Sequence, residues 1–528
     1  MIKKGLLRKI FYFSLALPII ASVFIFHLTQ AAIASTPIPK PQYGGVLKII
    51  EQPGLLNLGY PGETGSFNDG FLARPCVESL LSLDEKGTDV VIPQLATGWK
   101  ISPDYKSITF TLRKDVKFHD GTDFNAEAAK YCLDLYRLGP KPELKSVTSI
   151  DIIDHYTIRL NLSTFNPSLL ISMVGPASWM VSPNALKKMS KEEAMTHPVG
   201  TGPFKFVSYQ RDVFLKFEKF TSYWQKGKPY LDGVEFHFIA DPVTSLISFK
   251  TGEAQAINRL GPKDVSDLKA MGKYNIATGW SAAFGLVGDS AHTNSPFANI
   301  KVRQAIAYAI DNEAIANAIG YGLLPSASQF APPGGYAFNP AVAGYPYNPQ
   351  KAKQLLAEAG YPNGFQTKLT FTASATNRDL FTAVQGYLVA VGINAQLDAA
   401  DRGRFAQMIT GGWSNQLVRF DIPCSKGMDP ATALMTRLSS KASTFDTKSL
   451  YISPDYDAKL FLAATELDPQ KRQSQFQELS KMIIDQYCMA IPLYIGASLM
   501  VKSPTLHNLD IYQYSLQEYH PENAWLSK

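Results

Sequence analysis

His119 and Asp120 are adjacent, as a general base and its orienting acid could be, and Gly200-Thr201-Gly202 could wrap a phosphate. Neither pair carries the rest of its chemistry. Neighbouring residues at a strand end point to opposite faces, so a His-Asp dyad does not close between 119 and 120. Asp120-Gly121 has the composition of a turn. The two glycines lack both the lysine of a P-loop and the spacing of a dinucleotide fingerprint, which leaves a tight turn. There is no G-x-S-x-G and no H-E-x-x-H, so no catalytic residue is assigned. Eight histidines are scattered along the chain, and neither a metal nor another cofactor is expected. Cys76, Cys132, Cys424 and Cys488 show no C-x-x-C spacing, against a zinc site and against a thioredoxin-like pair. Cys132 and Cys488 fall in helical apolar patterns, where a buried free thiol and a disulfide both stay open.

The elements that would position a site follow from periodicity. Gly44 to Ile50 reads as a first strand, and Ile108/Phe110/Leu112, Tyr156/Ile158/Leu160/Leu162, Val213/Leu215/Phe217 and Val234/Phe236/Phe238 alternate as half-buried strands do. A helix is expected between them, around Asn125 to Leu138. From about residue 295 the period changes. Val302, Ile306, Ile310, Ile315 and Ile319 mark one face of a long helix that Asn299 could cap. Asn348-Pro349 opens another helix that Gly360 closes. A third starts at Asp468-Pro469, with Phe476, Leu479, Ile483 and Tyr487 on one stripe, and leads into a strand at Ala490 to Tyr494. Strand-rich and helix-rich halves indicate an α/β protein of two lobes, with ligand between them.

At 528 residues and 45% hydrophobic, the chain holds more than one small core. Lys3, Lys4, Arg8 and Lys9 precede an apolar run from Ile10 to Phe26 and then Ala32-Ile33-Ala34, a secretory signal with cleavage near Ala34. An uncleaved anchor is the alternative, since a span needs about 20 apolar residues. The first cysteine is Cys76, so the protein is not expected to be a lipoprotein, and a periplasmic location follows. Without those four basic residues the formal charge falls from +6 to +2. Lysine pairs such as Lys187-Lys188 are separated by acids, so no nucleic-acid partner is expected.

Pro93-Gln94-Leu95-Ala96-Thr97-Gly98-Trp99, Ser102-Pro103-Asp104, Thr109 to Arg113 and Val116 to Gly121 resemble the extracellular solute-binding protein family 5, the dipeptide-, oligopeptide- and nickel-binding proteins of ABC importers. Gly200 to Phe204, Tyr223-Trp224, Gly227 to Asp232, Gly252-Glu253, Pro296-Phe297, Val302 to Ile306, Tyr347-Asn348-Pro349 and Ala359 to Pro362 continue the resemblance in order. It implies a two-lobed periplasmic-binding-protein fold, type II-like, with mixed sheets, an extra subdomain and a hinge between the lobes. Mapped here, 1–34 is the signal peptide, 35–75 and 199–276 belong to lobe 1, 76–198 is the extra subdomain, 277–492 is lobe 2, and 493–528 returns to lobe 1. The implied partners are a short peptide or small solute and the permease subunits of the transporter, with the binding protein a monomer.

The resemblance also implies three cleft-facing regions. These are Ser66, Phe67 and Asn68, ahead of a helix at Val77 to Leu81; Trp280, Ser281 and Phe284; and the segment after Gly412-Trp413, with Trp413, Arg419 and Asp421. Peptide-binding members of the family hold the ligand ammonium on an Asp soon after the Gly-Trp pair, but Ser414, Asn415 and Gln416 stand here. Asp421 with Arg419 could serve from a longer loop, or could be an ion pair exposed on that loop. Asp429-Pro430 resembles the family's structural turn. Trp280 and Trp413 are expected as pocket walls. Two further readings stay open: a receptor for a nickel chelate or opine, and an exported hydrolase on the same scaffold.

Overall fold

The period-two stretches form strands within a residue or two of their expected positions, at Val46–Glu51, Ser107–Leu112, Thr157–Leu162, Phe214–Lys219 and Gly233–Phe238. The structure, a computed structural model, describes residues 40–528 except 56, 64–66, 85–89, 142, 166–167, 426–428, 443–447 and 510–518, with the backbone alone at 67–68 and 375–376. The signal segment with Ala34, and Ser66, lie outside the described residues.

Ten strands make one mixed sheet among the described residues. Their order is Ile393–Ala400, Phe365–Thr372, Gln416–Pro423, Asn275–Gly288, Ile491–Lys502, Ala256–Asn258, Val46–Glu51, Gly233–Phe238, Phe214–Lys219 and Phe204–Gln210. The two long central strands, Asn275–Gly288 and Ile491–Lys502, pair antiparallel along most of their length. They join separate hydrophobic cores. Leu47, Phe110, Phe236, Met500 and Ala524 belong to one core, whereas Leu286, Leu356, Phe371 and Ile491 belong to another and Ala283, Phe420, Phe476 and Ile495 to a third. Each fully buried aliphatic or aromatic side chain contributes roughly 1.5–3 kcal/mol of transfer free energy.

A second sheet, ordered Ala96–Ile101, Ser107–Leu112, Thr157–Leu162, Val147–Asp154, buries Ile108, Phe110, Ile158 and Leu160. Helix Ala126–Leu138 shares that core through Cys132, Leu133 and Tyr136, and Asn125 caps it by accepting the Ala128 N–H. Asn348 likewise caps Pro349–Glu358, and Gly360 follows in the left-handed region at φ +91°. No helix among the described residues is long and apolar enough to cross a membrane.

Three expectations are corrected. No helix forms at Val77 to Leu81: the helix is Phe67–Ala73, Glu78 bridges Met180, and Leu81–Leu83 is a strand paired with Val91–Pro93. The burial of both Leu80 and Leu81 satisfies this extended path as well as it would a helix. The long helix from Asn299 is two helices, Ile300–Ala309 and Asn312–Gly320. Ile310 is extended, and Asp311 accepts the Ala314 N–H as a fresh N-cap, which competes with continuation. Cys488 lies beyond the π-helical turn Met482–Gln486, at φ +42°. The Gly200/Gly202 segment bends as expected and also answers a close approach: a Cβ at Gly202 would fall 2.6 Å from the Pro75 carbonyl oxygen.

Candidate functional site

His119, Asp120 and the cysteines are each bound into structure. His119 Nε2–H donates to the Gly202 carbonyl at 2.9 Å, and its ring packs edge-on to Phe220. Asp120 instead accepts from Thr122 and from Ser182 Oγ, at 2.6 Å in each case, so the neighbours serve different partners. Burial pushes the His119 imidazole down to about 4. The four cysteines are free and buried, and burial raises Cys76, Cys132 and Cys424 to about 12 and Cys488 to about 11. A thiol so raised is a poor nucleophile and a poor metal ligand.

Arg419 and Asp421 sit on the strand Gln416–Pro423, not on a loop, because Val418, Phe420 and Ile422, which alternate with them, are buried in the core. Being two apart on a strand, the pair shares one face. Arg419 Nη1 donates to Asp421 Oδ1 at 3.1 Å, and Arg437, at the end of helix Ala431–Arg437, reaches Oδ2 at 3.5 Å. The Phe365–Thr372 strand pairs with Gln416–Pro423 at residues 416 to 418, short of Arg419 and Asp421. Phe284 lies opposite Asp421 on the neighbouring strand. Its ring carries the Arg419 guanidinium at 4.7 Å and stacks on Tyr494 with centroids 5.0 Å apart. Burial raises the Tyr494 hydroxyl to about 12, so that ring is neutral. The arrangement is a charged cluster on an aromatic floor, placed on strands that join the cores.

The other expected residues divide. Ser281 sits where the register shifts between the two long strands, and its carbonyl accepts the Cys424 N–H. Trp280 packs against the core that holds Ala283, whereas Phe284 packs against the core of Leu286, so the two rings lie on opposite faces of the sheet. Trp413 departs from the expected pocket wall. It is only 4% exposed and shares a core with Phe405 and Leu450, while Ser449 Oγ brackets its backbone N–H and C=O at 2.7 Å each. Asn415 N–H donates to Asp289 and Gln416 accepts from Thr370, so the residues after Trp413 are also tied down. Asp429 binds Arg472 at 2.6 Å and accepts the Ala431 N–H, a structural role. Phe67 and Asn68 lie in the first helix with only their backbone described, and Ser66 is outside the described residues. Sequence reasoning missed Arg437, which meets Asp421 only through the packing of its helix.

Comparison with known proteins agrees with this architecture. Residues 90–421 match the family described as bacterial extracellular solute-binding proteins, family 5 Middle. The glutathione-binding protein GsiB of Salmonella choleraesuis is 30% identical over 433 residues, 78% of this chain and 82% of that protein. The periplasmic binding protein DppA of Helicobacter pylori, solved with the peptide STSA, superposes with a TM-score of 0.77 at 24% identity, over 92% of this chain and 99% of that one. The binding protein AgaA from A. tumefaciens R10, solved with agropinic acid, gives 0.74 at 26% identity, again over 92% and 99%. The chain therefore has the two-lobed α/β fold of periplasmic binding proteins and belongs to family 5 of the bacterial extracellular solute-binding proteins.

Proposed function

We propose that the protein captures a short peptide or similar small polar solute between its lobes and delivers it to the membrane permease of an ABC importer. The observation that carries this reading is the Arg419/Asp421 cluster on Phe284 and Tyr494, set on the strands that join the cores of a family 5 protein. Ser66, Phe67, Asn68 and Ser281 complete the proposed lining, with Trp280 turned to the other face of the sheet. The lobe borders near 76, 198, 276 and 492 belong to the same proposal, as do export through residues 1–34 with cleavage near Ala34, a periplasmic location and a monomeric state. Binding without chemical change is the proposed activity. Ligand stabilises the closed form only through contacts that improve on closure. A non-peptide ligand is the second reading, favoured by the 26% identity to the agropinic acid complex.

Native mass spectrometry of the mature protein, followed by denaturation and identification of the released molecule, tests both. A released unaltered peptide supports the first reading, and an opine or metal chelate the second. Turnover of a peptide, lost on mutating one cleft residue, would establish a hydrolase instead.

A further inference from the structure

Two guanidinium groups share one carboxylate on the Gln416–Pro423 strand. Asp421 Oδ1 is taken by Arg419 and Oδ2 by Arg437, so among the described residues the cluster carries one positive charge in excess. All three side chains are largely buried, at 18% exposure for each arginine and 23% for Asp421. Among the described residues, the charged groups that act on the neighbouring Tyr494 are Arg419 and Asp421. A partly desolvated charge without a counter-charge is unfavourable, and so is a buried donor without an acceptor. One carboxylate serves both guanidinium groups, so the first condition falls on the pair, and Arg437 also meets the second, because its Nε–H is buried and has no acceptor among the described residues. Arg419 is held flat by Phe284 at 4.7 Å, which fixes the direction of its fork.

We infer that Arg419 and Arg437 together form the seat for a ligand carboxylate, that Asp421 positions the two arginines and does not read a ligand amine, and that the captured solutes are therefore carboxylic acids. Both oxygens of Asp421 are already engaged, and an arriving ammonium would meet two guanidinium groups first. A carboxylate supplies the missing counter-charge and accepts from the free edges of both forks, the geometry that suits bidentate pairing. This rests on the capture reading and deepens it: the anionic end of the ligand is recognised here, and the amine is left to other groups or not read at all.

The test is calorimetry of the mature protein against alanyl-alanine, glutathione and mannopinic acid. Each is presented as the free acid and as its amide or ester, and the two peptides also N-acetylated. The expected result is that at least one free acid binds, that blocking its carboxyl weakens binding at least about 30-fold, and that acetylating the amine leaves affinity within a few-fold. Arg437→Gln should cause a comparable loss for the acid and little change for any residual binding of the amide. Comparison of blocked and free ligands on the unaltered protein needs no variant, so a misfolded Arg437→Gln would not obscure the answer. Equal affinity for acid and amide, or binding that depends on the free amine, overturns the assignment while leaving capture standing. Failure of all the acids to bind overturns the assignment too. If the natively purified protein also releases no small molecule, the capture reading falls with it.

Discussion

Thr201 Oγ1 donates to Glu78 Oε2 at 2.8 Å across 123 positions of sequence. The Tyr223 hydroxyl at 2.8 Å and the Trp224 indole N–H at 3.0 Å converge on the same buried carboxylate, and Arg113 covers the Trp224 ring. The motifs Gly200 to Phe204 and Tyr223-Trp224, distant in sequence, thus meet on one acid. Burial raises the Glu78 carboxyl from 4.5 to about 7, even though these donors pull it down. The folded state therefore holds the proton more tightly than the unfolded chain. Its stabilising contribution is complete below about pH 4.5 and is lost as pH rises to about 7. Glu78→Gln removes the titration. The unfolding free energy of wild type minus variant, from urea melts, should fall by on the order of 3 kcal/mol across that window. A pH-independent difference would show that Glu78 titrates normally in the fold.

His119 should give the opposite slope. Burial takes its imidazole from 6.5 down to about 4, so the unfolded chain binds the proton more tightly. Stability from this group is complete above about pH 6.5 and is lost as pH falls toward 4. His119→Gln keeps a donor for the Gly202 carbonyl but does not titrate. Wild type minus variant should rise with pH by on the order of 3 kcal/mol through the same range. The two groups oppose each other, so the wild-type profile is shallow there and each single variant exposes the other's slope. A parallel profile for His119→Gln and wild type would place the imidazole in solvent.

Local signals were legible and distant ones were not. Asn125, Asn348 and Asp468 cap helices where the sequence places them, because a cap is decided by the side chain and the next three backbone N–H groups. Asp311 carries the same signal and caps a new helix, but the period of the Ile306/Ile310/Ile315 stripe continues through the break and hides it in the sequence. Val77 to Leu81 has no periodicity that separates a helix from an extended path, and Met180 and Val91 to Pro93 decide it. In the site, Arg419 and Asp421 follow from the cleft-facing region that the resemblance implies, while their strand placement depends on pairing with Phe284 and its neighbours. Arg437 needed the helix packing, for which no short motif exists.

Gly496 controls the aromatic floor of the site. A Cβ there would overlap the Phe284 ring and come within 3.2 Å of Ser281 Oγ. Gly496→Ala should push Phe284 from beneath Arg419, destabilising the fold by about 1–3 kcal/mol as overpacking does. It should also weaken ligand binding more than its effect on stability explains. Urea unfolding and calorimetry with the ligand released from the native protein check both parts. Unchanged affinity would mean that Phe284 does not position Arg419.

Arg303, in the motif Val302 to Ile306, is 7% exposed and, among the described residues, donates to carbonyls. Its Nε donates to Cys488 O at 2.8 Å, Nη2 to Tyr487 O at 2.8 Å, and Nη1 to Phe297 O and Ala298 O at 2.6 and 3.0 Å. One guanidinium thereby ties helix Ile300–Ala309 to the turn that feeds the strand Ile491–Lys502. Lysine keeps the charge but offers a single nitrogen with three donors, which cannot span carbonyls on both sides of the fork. Arg303→Lys should therefore lose about 2–4 kcal/mol of stability, since buried carbonyls are left without donors. Arg303→Met, which removes the buried charge along with the donors, should be no more than about 2 kcal/mol worse than Arg303→Lys. Urea unfolding of both variants is the check. A lysine variant as stable as wild type would show that the charge, and not the fork, is what this position requires.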